Sequence, residues 1–333
     1  MVEKVLLGDM YKPNGLNKDI FVYDVNSLYP AVMSNNPFPI GNINQFEGDI
    51  SILDNIYWIG DCNISTKKDM YIPPIQLHYN LSNKSGGVRT ISPNGSFNMK
   101  INSVEYNSYK DYYDFNINSG YFWKTDFIFK DYVNTLYEMR KSYPKSDPVN
   151  FIAKLLMYGR FAMRNIKNNY SFFNKSEFFK LLEDSKIVIE NYIDLEDSLF
   201  VNYIDNSRLD NDSKSSISIA SAVTSYARSY MFNIIKDNLN SIYYSDTDSI
   251  YLDKALQDNL ADPKELGKFK LEHIFKDSVY LGPKIYAGIT QDNNYICKIK
   301  GFKGSVDFED MKNLLKKDSS IKLTHIKCLL LDK

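Results

Sequence analysis

The chain has 333 residues, a formal charge of −1 at pH 7 and three cysteines, Cys62, Cys297 and Cys328. Three scattered cysteines exclude a disulfide framework and a cysteine-based zinc site. No apolar run reaches the length of about 18 residues that predicts a membrane span, so we expect no membrane partner. The length allows two or three subdomains with a sizeable core.

The first predicted elements are a strand and a helix joined by an acidic turn. Residues 20–23 read Ile-Phe-Val-Tyr, a β-prone run, and Asp24 follows directly. Pro30 fits the first turn of the helix that comes next. An aspartate at the end of a buried strand is costly unless it is paired or bound to a cation. Asp24 is therefore a candidate cation ligand.

The next two regions differ in composition. Residues 42–127 are rich in Asn, Ser, Tyr and Gly, with turn signals between short β-like runs, which predicts an irregular α+β insertion. Residues 128–166 begin with a helical pattern that Pro144 breaks. A second helix is predicted after it, with Asp147 as its N-cap and Pro148 in its first turn. Positions 138–176 carry eight Lys or Arg and two acids. This basic patch suits a polyanion, although a solvated helix face would look the same.

The last predicted elements place two more carboxylates at a turn. Residues 167–207 have mixed character, and residues 215–236 read as a helix packed on a sheet. Residues 242–252 form two β-prone runs around a turn that holds Asp246 and Asp248. Carboxylates from separate strands that leave room for water and phosphate oxygens suit Mg²⁺. We therefore expect a phosphoryl-transfer site in a subdomain built from both ends of the chain.

Five ordered motifs carry a resemblance to a known family. They are Asp-Val-Asn-Ser-Leu-Tyr-Pro at 24–30, Lys-Leu-Leu-Met-Tyr-Gly-Arg-Phe at 154–161, Thr-Ser-Tyr-Ala-Arg at 224–228, Tyr-Ser-Asp-Thr-Asp-Ser at 244–249 and Lys-Ile-Tyr at 284–286. A lone acidic turn is weak evidence for a protein family because acidic turns are common. Five motifs in the same order as in one family are specific evidence for that family. The chain resembles the family B DNA polymerases, in particular the protein-primed branch of linear mitochondrial plasmids and some phages.

The resemblance implies an α+β, right-hand polymerase fold. The implied parts are a palm at residues 18–45 and 208–302, a first insertion at 46–127, fingers at 128–166, a second insertion at 167–207 and a thumb remnant at 303–333. Because the family's proofreading exonuclease precedes the first motif and only 23 residues precede Asp24, we expect no proofreading in this chain.

The implied activity is DNA-directed DNA polymerisation. The primer 3′-hydroxyl attacks the α-phosphate of a deoxynucleoside triphosphate with the help of two Mg²⁺ ions, for which Mn²⁺ can substitute. By the resemblance, Asp24 and Asp248 bridge both metals, the carbonyl of Val25 adds a ligand, and Asp246 is an auxiliary carboxylate. The implied partners are primer-template DNA, deoxynucleoside triphosphates and a terminal protein as a candidate primer.

The resemblance also implies nucleotide-binding and DNA-binding residues. Tyr29 resembles a steric gate against the 2′-hydroxyl, with Ser27 and Leu28 beside it, and Lys154 would neutralise the triphosphate and protonate pyrophosphate, with Tyr158 nearby. The residues that would hold primer and template through phosphates are Thr224, Arg228, Lys284, Tyr286 and Lys300. For Arg228 and Lys300 an exposed structural charge is the alternative interpretation.

The second motif departs from the family pattern, Lys-x-x-x-Asn-Ser-x-Tyr-Gly. Here Lys154 and Tyr158 are four residues apart instead of seven, so they lie about 6 Å apart along a helix instead of about 10 Å. If Tyr158 keeps its place, Phe151 occupies the lysine position. The shortening therefore affects the predicted catalytic lysine and the predicted nucleotide binding, and leaves the predicted metal carboxylates unchanged.

Two rival functions stay open. One is a catalytically impaired relic that keeps the fold and DNA binding. The other is a different nucleotidyltransferase, such as a reverse transcriptase or RNA polymerase, against which Tyr29 and the motif at 244–249 argue. Only six of the 40 basic residues are Arg, as in an A+T-rich gene, so we expect a mitochondrial protein encoded by an organelle or plasmid, or else a phage or viral one that works inside a cell.

Overall fold

The computed structural model describes residues 9–11, 14–80, 88–158, 161, 168–206 and 215–323. The chain divides into two compact units, one of residues 1–157 with 222–333 and one of residues 158–221. The predicted boundaries of palm, fingers, insertions and thumb are a finer division and stay predictions.

The described helices and strands follow each other in mixed order. The helices are α1 (Leu28–Asn35), α2 (Ser103–Tyr109), α3 (Lys130–Ser142), α4 (Pro148–Tyr158), α5 (Lys175–Glu183), α6 (Ile217–Asp237) and α7 (Phe308–Asn313). The strands are β1 (Asp9–Tyr11), β2 (Asn14–Leu16), β3 (Ile20–Val25), β4 (Phe38–Glu47), β5 (Ile56–Thr66), β6 (Leu77–Asn80), β7 (Val88–Ile91), β8 (Ser96–Asn102), β9 (Tyr113–Asp126), β10 (Asn168–Phe173), β11 (Ile187–Asp194), β12 (Leu199–Asp205), β13 (Ile242–Asp246), β14 (Ser249–Leu252), β15 (Phe269–Gly282), β16 (Ile285–Thr290) and β17 (Tyr295–Ile299). Among the helices described, none has both the length and the apolar character needed to cross a bilayer.

The sheet that carries the acidic turn is built from both ends of the chain, as the sequence predicted. Its strand order is β1-β13-β14-β3-β15-β16-β17, β2 pairs with β15, and neighbouring strands are antiparallel. Aromatic and β-branched residues pack well on such a pleated surface. Val22, Tyr244, Tyr251, Phe275 and Tyr280 form a buried cluster within it, which holds β3 between β14 and β15.

The first insertion is more regular than its sequence predicted. Its main element is a four-stranded antiparallel sheet in the order β4-β9-β5-β8, with strands of 11 residues in β5 and 14 in β9. One face buries Trp58, Tyr109 and Tyr113 against Phe232 of α6. The expectation of short, irregular runs was wrong because pairing between distant strands extends segments whose own sequence is rich in Asn and Ser.

The predicted helical hairpin is confirmed as α3 and α4. Pro148 is the first residue of α4, and the Asp147 carboxylate accepts a hydrogen bond from the Val149 N–H at 2.8 Å. The Asn150 side chain donates to the carbonyls of Arg140 at 2.7 Å and Tyr143 at 2.9 Å. This amide satisfies carbonyls at the C-terminal end of α3 and fixes the angle at which the chain enters α4.

The second unit has its own small core. Its sheet has the antiparallel order β10-β12-β11, and α5 covers one face through Phe178 against Leu199 and Val201. A capping box between Asn174 and Glu177 starts α5, which satisfies two backbone donors that a helix start leaves open.

We predict that Gly120→Ala destabilises the first unit. A Cβ at position 120 would lie 2.1 Å from the carbonyl oxygen of Ile59 and 2.6 Å from the Cα of Gly60, so the β5-β9 pair would have to move. Such overpacking costs on the order of 3 kcal/mol. Thermal unfolding should show a midpoint lower by several degrees, whereas the control Gly282→Ala, with no atom within 4 Å of the new Cβ, should change it little. Equal midpoints for both variants would contradict this packing.

Candidate active site

Asp24 and Asp248 meet at the centre of the large sheet. Asp24 pairs in register with Ser249 of β14, and the Val25 N–H donates to the Asp248 carbonyl at 2.9 Å. The turn between β13 and β14 is closed by a hydrogen bond from the Asp248 N–H to the Asp246 carbonyl at 2.7 Å. Thr247 at its tip has a φ of 55°, a left-handed conformation that costs a threonine free energy. The structure therefore brings together the two predicted metal ligands.

The pair of carboxylates is electrostatically unfavourable without a cation. The pKa of Asp24 is raised to about 6, first by burial and then by the charges of Asp248 and Glu272, while Lys270 and Lys154 oppose the shift. Burial also raises the pKa of Asp248, with Asp246 adding to the shift and Lys284 opposing it. A divalent cation between the two groups would relieve both the desolvation and the repulsion.

The surroundings fit a hard cation with an incomplete protein shell. Asp24, Asp246, Asp248 and Glu272 line a cavity of about 390 Å³. Within the part of the chain that the structure describes, no three or more His, Cys, Asp or Glu side chains are arranged to hold an ion by themselves. The remaining oxygens would come from the Val25 carbonyl, water and phosphates, which is how Mg²⁺ is usually bound at phosphate sites.

Asp246 is held by Lys284 and differs from the other two carboxylates. The Lys284 ammonium donates to both carboxylate oxygens of Asp246 at 2.7 Å. Lys284 also has a left-handed backbone, with φ 58°, and its N–H donates to the Tyr244 hydroxyl at 3.1 Å. The ion pair with Lys284 balances the negative charge of Asp246 beside Asp24 and Asp248.

Two more residues of the predicted DNA-binding set, Tyr286 in β16 and Lys300 just after β17, lie next to Lys284. The Lys300 N–H donates to the Lys284 carbonyl at 2.9 Å, and the Lys300 side chain is exposed. The hydroxyls of Tyr286 and Tyr251 are hydrogen-bonded at 2.9 Å. Lys284 and Tyr286 line the same cavity as the carboxylates, and Lys300 adjoins this edge of the site through its backbone.

The start of α1 is fixed by an arginine that the sequence analysis counted only as part of the basic patch. Ser27 has a φ of 55°, and its hydroxyl accepts a hydrogen bond from Arg140 of α3 at 2.8 Å. Leu28 is only 2 % exposed, so its backbone and not its side chain can face a substrate. Burial raises the pKa of Tyr29, Asp248 raises it further and Arg228 lowers it, so the Tyr29 phenol lies within electrostatic reach of both charges.

Lys154 is exposed on α4, and its charge reaches Asp24, whose pKa it lowers. Phe151, the alternative occupant of the lysine position, is 60 % exposed. Tyr158 is the last residue of α4, but its side chain lies outside the described part of the structure, so its predicted role stays a prediction. The described residues thus favour Lys154 over Phe151 as the residue that faces the carboxylates.

Thr224 and Arg228 are exposed on α6 and line a cavity of about 240 Å³ together with Tyr29. Arg228 donates to the Ser225 hydroxyl at 2.9 Å and forms an ion pair with Glu105 of α2. The ion pair agrees with the alternative of a structural charge, while the cavity agrees with a substrate contact. Both uses are compatible because a guanidinium carries five donors.

Two residues near the site were missed from sequence. Arg140 had only the signal of the basic patch. Glu272 lies in β15, and Lys270 of the same strand pairs in register with Asp24. Glu272 forms an ion pair with Lys270 at 2.8 Å. The sequence around Glu272 shows only an alternating β-prone run. Without the register of β15 against β3, that pattern does not tell that Glu272 lies near Asp24.

Comparisons with known proteins identify the family. The family described as DNA polymerase type B, organellar and viral, matches residues 7–240. A probable DNA polymerase of Ascobolus immersus is 34 % identical over 318 residues, which are 92 % of this chain and 26 % of that protein. A probable DNA polymerase of Neurospora intermedia is 32 % identical over 339 residues, 96 % of this chain and 34 % of that protein. The DNA polymerase of Bacillus phage phi29 is 26 % identical over 297 residues, 84 % of this chain and 47 % of that protein.

A solved structure confirms the fold. Phi29 DNA polymerase complexed with primer-template DNA and incoming nucleotide substrates matches with a TM-score of 0.66 and 22 % identity, over 90 % of this chain and 54 % of that chain. The predicted α+β polymerase fold is therefore confirmed. The chain spans between a quarter and a half of the length of the curated relatives described above. Because the family match covers more than half of the sequence, the chain belongs to the type B DNA polymerases of the organellar and viral kind.

Proposed function

We propose that this chain carries the nucleotidyl-transfer site of a DNA-directed DNA polymerase of the protein-primed branch. The observation that supports it is the meeting of Asp24, at the end of β3, and Asp248, in the turn that leads into the adjacent strand β14, with both pKa values raised by burial. Such carboxylates are poised to bind cations at which phosphate oxygens also bind. The presence of primer-template DNA and nucleotides in the matched phi29 polymerase structure supports the same substrates here.

Each residue has a role in this proposal. When bound, two Mg²⁺ ions, or Mn²⁺ in their place, supply charge stabilisation to the attacking and leaving oxygens. Asp24, Asp248 and the Val25 carbonyl would hold them, and Lys154 would place its charge on the triphosphate. The backbone of Ser27 and Leu28, with the Tyr29 ring and Tyr158, would position the nucleotide. Thr224, Arg228, Lys284, Tyr286 and Lys300 would hold the primer-template by its phosphates.

Priming by a terminal protein and a mitochondrial or plasmid location are finer parts of the proposal. They rest on the five motifs, which resemble those of the protein-primed branch although the second motif is three residues shorter. The fungal origin of two relatives, from Ascobolus immersus and Neurospora intermedia, is in keeping with both.

A second candidate function is a relic that folds and binds DNA without efficient turnover. The observation that favours it is the loss of three residues between Met157 and Tyr158 relative to the family pattern. A misplacement of about 1 Å can already cost about a hundredfold in rate. Metal and DNA binding rest on other residues, so nucleotide binding is the step that this shortening would weaken.

The first test separates metal binding from folding. Asp24→Asn should abolish primer extension in Mg²⁺ or Mn²⁺ and should remove the stabilisation that Mn²⁺ gives to the wild-type chain. In EDTA at pH 7 its thermal midpoint should be higher than wild type, because a buried charge and its repulsion are removed. The folded pKa of about 6 lies above the usual value of about 3.9, so wild-type stability falls as pH rises between these values. The gain in midpoint should therefore vanish below about pH 4.

Asp248→Asn should behave in the same way, since burial raises its pKa too. The matched control is Asp258→Asn, the same charge change at an exposed position, which should keep extension and the response to Mn²⁺. Extension by either Asp24→Asn or Asp248→Asn would refute the metal assignment.

The second test concerns the Tyr29 ring. Tyr29→Val should raise ribonucleotide incorporation relative to deoxyribonucleotide incorporation, because the smaller side chain leaves room for a 2′-hydroxyl. Tyr29→Phe, which keeps the ring, is the matched control and should leave the ratio near that of wild type. The measurement is single-nucleotide extension with each triphosphate, and an unchanged ratio in Tyr29→Val would rule out the gate.

The third test decides between enzyme and relic. Insertion of Asn-Ser-Leu between Met157 and Tyr158 should lower the KM for nucleotide and raise the rate without changing primer-template affinity. Insertion of three alanines at the same place restores helix length without the amide, so it separates geometry from chemistry. A wild-type chain that already extends primers with a low-micromolar KM would show that the shortening is absorbed.

A further inference from the structure

The cavity beside Tyr29 has a wall from the first insertion. The cavity has a volume of about 240 Å³, and its other walls are Tyr29, the Thr224 and Arg228 face of α6, and Thr247 of the acidic turn. The segment at residues 72–76, just before β6, completes it with Gln76. None of the five sequence motifs includes this segment. It nevertheless shares a cavity with residues of three of those motifs.

The segment is rigid by composition and packing. Pro73 and Pro74 each fix φ near −65°, and Pro73 is buried. Ile75 is 4 % exposed and packs in the core of the first insertion with Trp58. Gln76 is therefore presented by an anchored backbone and not by a loose loop, which is the condition for a side chain that positions a ligand.

The Gln76 amide is available to a ligand. The side chain is half-buried, and no described hydrogen bond involves its amide, in contrast to Asn102 and Asn150, which each donate to neighbours. A carboxamide carries two donors and one acceptor. Of the described residues that line this cavity, Arg228 alone carries a formal charge. The cavity therefore suits the neutral edge of a base next to a phosphate backbone.

We propose that Gln76 donates a hydrogen bond to the minor-groove edge of the base pair at the primer terminus. The inference rests on the proposed function, in which Tyr29 faces the sugar of the incoming nucleotide and Thr224 and Arg228 face the primer. A group between them meets the last base pair of the duplex. In the minor groove purines present N3 and pyrimidines O2 as acceptors at similar positions, so an amide donor contacts any correct pair without reading its sequence. A mispair moves that acceptor.

The test removes each partner of the hydrogen bond in turn. Primer-template duplexes end in adenine or in 3-deazaadenine, which lacks the N3 acceptor, and equilibrium affinity is measured by fluorescence anisotropy without nucleotide. Gln76→Ala should weaken binding of the adenine terminus about three- to tenfold, the range for one net hydrogen bond. Wild type should lose the same factor on 3-deazaadenine, and Gln76→Ala should lose nothing further.

The control is Gln45→Ala, the same truncation at an exposed position of β4, which should bind both duplexes as wild type does. Thermal midpoints of the two variants check that both are folded. The proposal would be overturned if the affinity losses from Gln76→Ala and from 3-deazaadenine multiply when the two changes are combined. It would also be overturned if Gln76→Ala causes no loss of affinity. A wild-type chain that shows the binding pattern but never extends a primer would refute the polymerase function alone, whereas a chain that binds no primer-template would refute both.

Discussion

The burial of two acidic side chains next to each other, Asp24 and Asp248, is the constraint on which the rest of the site depends. Asp24 at the end of β3 and Asp248 in the turn before β14 each have a pKa raised by burial, which lowers the stability of the apo protein at neutral pH. The surrounding sheet has to supply that free energy. Its buried aromatic cluster around Tyr244, Tyr251 and Tyr280, directly behind the acidic turn, is where the large apolar areas are removed from water.

Three residues at the same site have a strained backbone. Ser27, Thr247 and Lys284 all have positive φ although none is glycine, and each lies within a predicted motif. Such conformations persist only when neighbouring contacts over-determine them. Here the contacts are the Arg140 hydrogen bond to Ser27, the closed turn around Thr247 and the Asp246 ion pair of Lys284. Thr247 and Lys284 both line the cavity that holds the carboxylates, and Ser27 precedes the helix that carries Tyr29.

Polar contacts connect regions outside the large sheet to the site. Arg140 connects α3 to the start of α1. Glu105 of α2 pairs with Arg228 of α6, and Asn102 donates both to Glu105 at 3.0 Å and to Ser225 at 2.8 Å. Because the hydrogen bonds of Asn102 and of Arg140 are at least partly buried, loss of one partner would leave another polar group without its hydrogen bond. The first insertion is thus part of the architecture of the site and not an appendage.

Sequence by itself determined the features that depend on local order. Asp24, Asp246 and Asp248 stand out because carboxylates at strand ends need a cation or a partner. The helices α3, α4 and α6 follow from periodicity and from Asp147-Pro148. The family, and with it the right-hand fold, followed from five ordered motifs because each keeps its residues within a short window.

Tertiary structure decided the features that depend on pairing between distant segments. The long strands of the first insertion form because β5 and β9 pair along their whole length, which no local pattern in an Asn-rich and Ser-rich segment shows. Glu272 reaches Asp24 only through the register of β15 against β3, and Gln76 reaches the Tyr29 cavity only through the packing of Ile75. A sequence specifies periodicity over a few residues, whereas register and close approach emerge only when the whole sheet and core are assembled.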